Sequence, residues 1–489
     1  MNAPTGSGKT FSLAVPILLE GLASKEKKIQ AIWIAPIRAL AKEIQFSTDK
    51  AAEGLGSSWR VGIRSGDTTA AQKVKQLSKP PQFLITTPES LHLLLSQKNS
   101  AEYFSGLKTI VLDEWHELMG SKRGVQMELA LSRLKSVAPG LKIWGISATI
   151  GNMEQSLQVL LGSTYEKKKH KVIKAEIQKK VEVISIFPDE LDRMPWTGHG
   201  GIHLLKKAVE IVHKSTSTLI FTNTRSFAEI WYQRMLQEAP ELSGQIAMHH
   251  GSISQELRHW VEEQLHEGKL KAVVCTSSLD LGVDFRPVET IVQVGSPKGV
   301  ARFLQRAGRS GHQPDAVSKI WFLPTHSLEL LEAAALKDAI AISFIESRQP
   351  LLLCFDVLLQ FMSTLAVSDG FYPDELFAAV KSTFCFRHMN KAEWEQLLQF
   401  ITAGGVALNQ YDDFKKVEVL DGLYKINNRR IAMRHRMHIG TIVSDSMVKV
   451  KFMSGGYIGV IEEYFISRLQ PGDVFTLAGR NLAHALVCA

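Results

Sequence analysis

The sequence predicts an α/β protein with two halves, each a doubly wound parallel sheet, followed by a winged helix and the start of a β-rich, barrel-like domain. Two stretches, 1–164 and 201–330, alternate short β-branched or aromatic runs with helical patterns, which is typical of buried parallel strands. Beyond residue 336, three helical patterns lead into alternating strands, and the last segment is punctuated by glycine. These changes predict domains at 1–164, 165–335, 336–437 and 438–489.

The predicted strands of both halves are short and apolar, as buried strands are. In the first half they are expected at 31–35, 83–86, 109–112 and 143–146. In the second half they are expected at 181–186, 218–221, 245–249, 272–275, 290–294 and 319–322. The basic and then Pro- and Gly-rich segment 165–200 is interpreted as a crossing between the halves.

The last third predicts a different architecture. Helices at 350–366, 373–384 and 391–404 precede strands at 405–408, 416–420 and 423–426, an arrangement that indicates a winged helix. Further strands are expected at 439–443, 447–452, 457–462 and 473–477. They are too few to close a barrel, so we expect a C-terminally truncated β-rich domain.

Composition narrows the class of protein. The 489 residues are 45% hydrophobic and carry a formal net charge of +8, which argues against wholesale disorder and favours anionic partners. The four cysteines include no CxxC pair, so neither a disulfide framework nor a structural zinc site is expected. No apolar run reaches the roughly 18 residues of a membrane span, and no signal peptide opens the chain. We therefore expect a cytoplasmic protein without a membrane partner.

The first motif is a phosphate-binding loop, APTGSGKT, at 3–10, and a helical pattern follows at 11–22. Such a loop surrounds phosphates with backbone N–H groups and a helix N-terminus. We expect Lys9 to reach the β- and γ-phosphates of ATP and the Thr10 hydroxyl to ligate Mg²⁺. The predicted ATP-binding residues of this loop are Thr5, Gly6, Ser7, Gly8, Lys9 and Thr10.

A buried strand should precede such a loop, but only two residues do so in this chain. The sequence therefore predicts an N-terminally truncated copy of a longer protein. The gene sequence upstream of Met1 tests this, because the absence of an in-frame strand-like segment there would contradict it.

Two acidic residues follow the strand expected at 109–112, within the string DEWH. Asp113 is expected to hold Mg²⁺, and Glu114 to polarise the attacking water as general base. His116, together with Ser147 and Thr149 of the string SAT, is expected to couple the nucleotide state to other motifs. SAT alone is a weak pattern, because Ser and Thr commonly cap helices. Its position directly after the next strand strengthens it.

The second half supplies two arginines on one helical face, in QRAGRSG at 305–311. Guanidinium groups suit a polyphosphate on which charge develops. Arg309 is expected to be the transition-state finger and Arg306 the γ-phosphate ligand, although the two can exchange roles, while Gln305 helps to order the water. In the preceding loop, SSLDLGVD, we expect Gly282 and Asp284 to contact the nucleotide.

Together these motifs resemble those of superfamily 2 DExH-box helicases, and more narrowly the Lhr (large helicase-related) family with its bacterial ligase-associated DNA helicase subgroup. The resemblance covers essentially the whole chain and implies two RecA-like domains. It departs from the family at both ends, where the segment before the phosphate loop and most of the β-rich domain are missing. The strings that carry it are PIRAL (36–40), RSGDT (64–68), TTPESL (86–91), DEWHELMGSKRGVQ (113–126), TNTRSFAE (222–229), HHGSIS (249–254) and PGDVFTLAGRN (471–481).

The resemblance implies ATP-driven, 3′-to-5′ translocation on single-stranded DNA, with unwinding of DNA or RNA–DNA duplexes. It also implies a monomer that serves DNA repair beside a DNA ligase and a nuclease. Each contact residue taken alone is more often a helix cap than a ligand. The residues that the resemblance assigns to nucleic-acid binding are Arg38, Thr87, Thr222, Asn223, Arg225, Gly251, Ser252 and Thr276.

Two alternatives remain open from the residues. One is an RNA-directed ATPase of the same superfamily, and the other is a truncated product that binds nucleic acid without hydrolysing ATP. A sequence-specific winged-helix regulator is disfavoured, because the helix at 391–404 carries Glu393 and Glu395 and few base-reading side chains. The lysine run at 167–180 is interpreted as a solvated face, whereas the arginine-rich stretch 425–451, with its candidate wing, is a candidate binding surface.

Overall fold

The first half is built on a parallel sheet with helices packed around it. The computed structural model describes residues 1, 8–24, 26–147, 150–167, 170–175, 181–188, 200–250, 253, 255–280, 288–310, 317–404, 417–440, 447–454, 457–462, 470–477, 480–483 and 485. Among these, five strands form the first sheet in the order β2-β3-β1-β4-β5, and all pairs are parallel. The elements are α1 (Lys9–Gly21), β1 (Ala31–Ile34), α2 (Arg38–Gly54), β2 (Val61–Arg64), α3 (Ala70–Ser78), β3 (Phe83–Thr86), α4 (Pro88–Leu95), α5 (Ser100–Phe104), β4 (Thr109–Leu112), α6 (Trp115–Leu118), α7 (Lys122–Val137), β5 (Lys142–Gly145) and α8 (Met153–Leu161).

The second half repeats this design with a wider sheet. Its described strands are ordered β6-β11-β10-β7-β9-β8 and are again parallel. An apolar layer covers each face of this sheet. Successive side chains of β7 point to opposite faces, so Ile220 packs in the layer that contains Trp231, whereas Leu219 and Phe221 pack in the layer that contains Phe303. The elements are β6 (Val181–Ser185), α9 (Leu205–Lys214), β7 (Thr218–Phe221), α10 (Arg225–Glu238), β8 (Ile246–His249), α11 (Gln255–His266), β9 (Ala272–Cys275), β10 (Thr290–Val294), α12 (Val300–Ala307), β11 (Ser318–Leu323) and α13 (Leu328–Ala341).

A helical segment and a two-stranded wing follow. The helices bury Phe361, Leu365 and Trp394, and β12 pairs with β13 in antiparallel register. Short 3₁₀ turns occur at Gly162–Lys167, Ile202–Leu204, Pro240–Leu242 and Ser277–Leu279. The elements of this segment are α14 (Phe355–Val367), α15 (Pro373–Lys381), α16 (Lys391–Ala403), β12 (Glu418–Leu420), β13 (Leu423–Lys425) and α17 (Arg429–His438).

Contacts divide the chain into a large unit, Met1–Arg436, and a small unit, Met437–Ala489. The small unit contains two antiparallel hairpins, β14 (Met447–Lys451) with β15 (Tyr457–Glu462) and β16 (Val474–Leu477) with β17 (Arg480–Ala483). Its β-rich character is as predicted, and its barrel-like form remains a prediction. No helix in the described part of the chain is long and apolar enough to cross a membrane.

Local sequence signals explain many helix starts. The hydroxyls of Thr87, Ser121 and Thr224 accept N–H groups of the first turns of α4, α7 and α10. Thr69 and Asn390 form capping boxes at α3 and α16 with Gln72 and Glu393. These five helices therefore begin where a side chain satisfies backbone donors that have no intrahelical partner.

The structure corrects several predicted elements. Strand β2 and hairpin strand β17 were not expected, and the helix predicted to begin at 350 begins at Phe355. The arginines of the 425–451 stretch, including Arg429 and Arg434, lie on helix α17 rather than on the wing. The strand predicted at 405–408 and residues 441–443 of another lie outside the described residues.

The winged-helix segment packs directly on helix α7 of the first half. Asp356 pairs with Lys122 at 2.6 Å, and Gln360 accepts from Gln126 at 3.0 Å. At the centre, the buried carboxylate of Glu128 accepts the backbone N–H of Cys385 at 2.9 Å. Burial raises the pKa of Glu128 to about 8, although backbone N–H groups oppose the rise. Burial therefore favours a protonated carboxyl near neutral pH.

Candidate active site

The predicted nucleotide-binding residues lie at the carboxyl ends of the first sheet. Gly8 has φ +74° directly before α1, a backbone conformation that favours glycine, and Lys9 is the first residue of that helix. Lys9 Nζ lies 3.5 Å from Glu114 Oε1, so the loop lysine and the carboxylate after β4 meet. Thr10, the next residue after Lys9, is half-buried. Thr5, Gly6 and Ser7 lie outside the described residues.

Glu114 is held in an unusual backbone conformation, with φ +44° and ψ +47°. Such a left-handed conformation is uncommon for a residue with a side chain, and it occurs often at functional sites. Burial alone raises the pKa of Glu114, but the positive charges of Lys9 and Arg309 oppose burial, and that pKa lies below its ordinary value. Glu114 is therefore ionised at neutral pH.

Asp113 is buried and is bonded on both oxygens. Its Oδ2 accepts the indole N–H of Trp33 at 3.1 Å, and its Oδ1 accepts the backbone N–H of Glu114 at 2.8 Å. Burial raises the pKa of Asp113, and the neighbouring charge of Glu114 raises it further. A divalent cation would stabilise the ionised form at this position.

Mg²⁺ is compatible with the donors at this site. The ion favours oxygen ligands and usually takes one or two from protein, with water and substrate phosphates completing the octahedron. Asp113 offers a carboxylate and Thr10 a hydroxyl, both hard donors of the appropriate kind. No cluster of three or more His, Cys, Asp or Glu suited to a metal exists among the described residues.

His116 connects the two halves across the cleft. Its Nε2 lies 2.6 Å from the amide nitrogen of Gln305 on α12, and its Nδ1 lies 3.4 Å from Glu114 Oε2. Burial lowers the pKa of His116 despite the nearby carboxylates Glu114 and Glu117. A neutral imidazole that accepts from Gln305 and directs its N–H towards Glu114 satisfies these contacts. Gln305 was predicted to order water, and its observed partner is His116.

The two predicted arginines occupy different surroundings. Arg306 is 2% exposed and forms a bidentate pair with Asp280, at 2.7 and 3.1 Å, and donates to Gln293 at 2.6 Å. Its guanidinium also lies 4.6 Å from the ring centroid of Phe221. Arg309 donates to the backbone carbonyl of Asp280 at 2.9 Å, and its charge acts on Glu114 across the cleft.

The remaining coupling and loop residues are described only in part. Ser147 is buried, and its backbone N–H donates to the carbonyl of Met1 at 3.0 Å. Met1 also donates its ammonium group to the carbonyl of Gly145 at 2.6 Å, so it lies along strand β5. Thr149, Gly282 and Asp284 lie outside the described residues, and their assigned roles remain predictions.

The described residues among those assigned to nucleic acid lie at or shortly beyond the carboxyl ends of strands in both halves. Arg38 begins α2, is 62% exposed at its side chain and pairs with Asp67 at 2.7 Å. Thr87 caps α4, and Thr222 directs its hydroxyl towards the carbonyl of Cys275 at 3.3 Å. Both hydroxyls therefore have structural partners, while Gly251 and Ser252 lie outside the described residues.

The other three of these residues differ in exposure. Asn223 and Arg225 are exposed, and Asn223 donates to the carbonyl of Ser296 at 2.8 Å. Thr276 is buried at the end of β9. The first-half edge also carries an open depression of about 610 Å³ beside Arg38. Its basic lining residues are Arg38, Lys42, Arg60, Lys75 and Lys79.

Two contributors to the site were missed by sequence reasoning. Trp33 lies on β1 in register with Val111 of β4, which brings its indole to Asp113. Asp280 lies in the loop SSLDLGVD and holds Arg306. In the sequence, Trp33 is visible only as a tryptophan within a buried strand, and Asp280 only as an acidic residue four positions before Asp284. Their partners are brought near by the tertiary structure alone.

Comparison with known proteins finds helicase families over most of this chain. Family models match for a DEAD/DEAH box helicase at residues 1–157, a helicase conserved C-terminal domain at 202–313, and the winged helix domain of large helicase-related protein at 338–487. The ATP-dependent helicase Lhr-Core of Methanocaldococcus jannaschii is 33% identical over 98% of this chain and 57% of its own length.

A second relative and a solved structure show the same similarity. The Lhr helicase/probable uracil glycosylase of Mycolicibacterium smegmatis is 28% identical over 98% of this chain and 35% of its own length. The structure of Mycobacterium smegmatis helicase Lhr bound to ssDNA and AMP-PNP superposes with a TM-score of 0.79 at 28% identity, and covers 91% of this chain and 58% of that one. The chain thus spans little more than half the length of the Lhr-Core relative. From its motifs, its paired parallel sheets and these similarities, the chain belongs to the Lhr family of superfamily 2 helicases.

Proposed function

We propose that this chain forms the ATP-driven motor of a helicase that translocates on single-stranded DNA. The observation that carries the proposal is the convergence of both halves on one cluster: Lys9, Asp113 and Glu114 from the first, and Gln305 and Arg309 from the second. A cleft whose chemistry needs both halves can link hydrolysis to their relative motion.

The residues of the cleft can carry out the hydrolytic step. ATP phosphates would compete with Glu114 for the ammonium of Lys9, which now lies 3.5 Å from that carboxylate. Loss of this cation would raise the pKa of Glu114 and make it a better acceptor for a proton from water. Mg²⁺ held by Asp113 and Thr10 would neutralise developing phosphate charge.

The second half would supply the remaining positive charge. Arg309 acts electrostatically on Glu114, which places its positive charge towards the catalytic carboxylate. Arg306 would have to exchange part of its bidentate pair with Asp280 for phosphate oxygens. Arginine fingers contribute roughly 10³–10⁵-fold in rate in related phosphoryl transfers. Arg309 is therefore the better placed finger in this arrangement.

Nucleic-acid binding is supported by positive charge at the first-half edge. The depression beside Arg38 is lined by five basic side chains, and backbone phosphates are gripped by such groups without sequence preference. The similar Mycobacterium smegmatis structure is of a helicase bound to ssDNA. We further propose that the motor moves 3′-to-5′ along single-stranded DNA and unwinds DNA or RNA–DNA duplexes. We also propose a DNA-repair role of the kind that the ligase-associated helicases serve.

The test is nucleotide hydrolysis by the full chain with and without single-stranded DNA or RNA. We expect stimulation by DNA, and loss of turnover in Lys9→Ala and Glu114→Gln, while the exposed-site control Glu53→Gln keeps wild-type turnover. Stimulation by RNA alone would favour an RNA-directed ATPase. Nucleic-acid binding without hydrolysis would favour a binding product, and normal turnover in both site variants would refute the assignment.

Duplexes with single-stranded tails test direction. A 3′-to-5′ motor unwinds a duplex with a 3′ tail on the loading strand and leaves its 5′-tailed counterpart intact. DNA and RNA–DNA versions of both substrates separate the two kinds of duplex. Unwinding confined to the 5′-tailed duplex would contradict the proposed direction.

A further inference from the structure

Residues 345–349 join the second half to the winged-helix segment, and we call them the linker. They leave the end of helix α13 and lead to the start of α14. On the way, the linker contacts the helix that carries Gln305 and Arg306, and also the loops that follow β4 and β5. It therefore contacts both sides of the catalytic cleft.

On the second-half side, Glu346 caps helix α12. Both of its carboxylate oxygens accept the backbone N–H of Ala301, at 3.2 and 3.1 Å. The residue at the N-cap position is Gly299, which has no side chain with which to cap the helix. Glu346 thus supplies from a distance the acceptor and the negative charge that a helix N-terminus favours. Gln305 lies one helical turn further along.

On the first-half side, the linker backbone is fixed to the loop after β5. Asn152 donates to the carbonyl of Arg348 at 2.8 Å and accepts its N–H at 3.0 Å. The N–H of Gly151 donates to the carbonyl of Glu346 at 3.3 Å. The guanidinium of Arg348 also lies 3.7 Å from Glu117, the residue after His116.

Three glycines make this close approach possible. A Cβ at Gly299 would lie 2.3 Å from Glu346 Oε1, and one at Gly151 would lie 2.3 Å from the carbonyl oxygen of Ile345. A Cβ at Gly120, which also has φ +76°, would lie 2.7 Å from the carbonyl oxygen of Gln349. At Gly151 and Gly120 the close atom belongs to the linker backbone, so a side chain there would displace the linker, whereas at Gly299 the end of the Glu346 side chain would have to move.

These contacts close a ring through the active site. It runs from Glu346 to α12, from Gln305 on that helix to His116, along the chain to Glu117, and from Glu117 to Arg348 of the linker. Rings of this kind fix relative positions, because a shift in one member must be shared by the rest.

We propose that Glu346 is a positioning residue for ATP hydrolysis: as part of the linker, it sets the placement of the arginine-bearing helix α12 against Glu114. The proposal rests on the proposed ATPase function. The linker continues into the winged-helix segment. The same five residues therefore connect that segment to both sides of the catalytic cleft. Glu346 itself acts only through α12.

The test is steady-state ATP hydrolysis by full-length Glu346→Ala and Glu346→Gln, with single-stranded DNA present. We expect Glu346→Ala to lower kcat about tenfold, equivalent to about 1.4 kcal/mol in the barrier. The KM for ATP should stay within about twofold, because the residues of the phosphate loop are untouched. Glu346→Gln keeps one acceptor oxygen and should recover most of the loss. Glu332→Ala, at an exposed carboxylate on α13, is the matched control.

A second variant reads the opposite side of the ring. Arg348→Met removes only the contact to Glu117, so we expect kcat to fall by a few-fold with no change in KM. This variant tests the ring even if Glu346→Ala folds poorly. The linker role is overturned if kcat of the well-folded variants stays within twofold of wild type, or if only KM changes. Equal losses in the Ala and Gln variants would overturn the capping role. An inactive wild type would overturn the proposed function and the linker role together.

Discussion

Replacing Glu128 with glutamine should change how the stability of the protein depends on pH. Glu128 is buried between α7 and the winged-helix segment, and its pKa is raised to about 8. In the unfolded chain a glutamate has a pKa near about 4.3. Between these values the folded protein holds a proton that the unfolded chain releases, so the free energy of unfolding falls as pH rises.

The size of this effect follows from the two pKa values. One proton of difference is worth about 1.4 kcal/mol per pH unit, so stability falls by about 2.5 kcal/mol between pH 5.5 and 7.5. Below about pH 4 both states are protonated, and above pH 8 both are ionised, so the slope vanishes at each end. Glutamine has no proton to lose, yet its amide oxygen can still accept from Cys385.

Urea unfolding at pH 5.5, 6.5, 7.5 and 8.5, followed by tryptophan fluorescence, measures the difference between wild type and Glu128→Gln. We expect the variant to gain stability relative to wild type as pH rises, by about 2.5 kcal/mol between pH 5.5 and 7.5. The exposed Glu395→Gln on α16 should track wild type at every pH. Parallel pH profiles for wild type and Glu128→Gln would refute the buried, protonated carboxyl.

Three further predictions concern the nucleotide site. Trp33→Phe removes a donor that lowers the pKa of Asp113, so the Mg²⁺ concentration for half-maximal ATPase should rise about tenfold, and an unchanged Mg²⁺ titration would contradict this. Asp280→Asn removes the charge that holds an arginine of α12, so kcat should fall at least about tenfold in steady-state assays; wild-type kcat would remove Asp280 from the site. Gly8→Ala forces a side chain into a left-handed conformation at a cost of about 1–2 kcal/mol, so fluorescent-nucleotide affinity should fall about tenfold, whereas Gly54→Ala should bind normally.

The sequence predicted those parts of the fold that short-range patterns specify. Strands 83–86 and 109–112 match the observed bounds, because fully buried parallel strands are continuous apolar runs. Strand β2 was not predicted, because it lies at the sheet edge, is only partly buried and contains a glycine. Helix α17 was not predicted, because its many arginines leave too few apolar residues for the periodic pattern on which helix prediction relies.

The same distinction applies to the candidate site. Lys9, Asp113, Glu114 and Arg309 could be proposed from the sequence because their motifs are local strings. Trp33, Asp280 and Glu346 could not, because each acts on a partner that only strand register or a domain crossing brings near. Glu346 is 45 residues away from the helix start that it caps, and capping rules read from sequence consider only neighbouring residues.

The cations of the site are already paired with protein carboxylates, and this pairing bears on how the motor would cycle. Lys9 lies beside Glu114, and Arg306 is held by Asp280. A buried cation without a partner is costly, so these carboxylates stabilise the cleft while no polyphosphate competes for the cations. The contact between the halves at His116 involves a neutral imidazole and an amide, which adds little electrostatic attraction of its own. The charge of the nucleotide would add to the attraction between Arg309 and Glu114 in drawing the halves together, and release of the hydrolysis products would return Lys9 and Arg306 to their carboxylates.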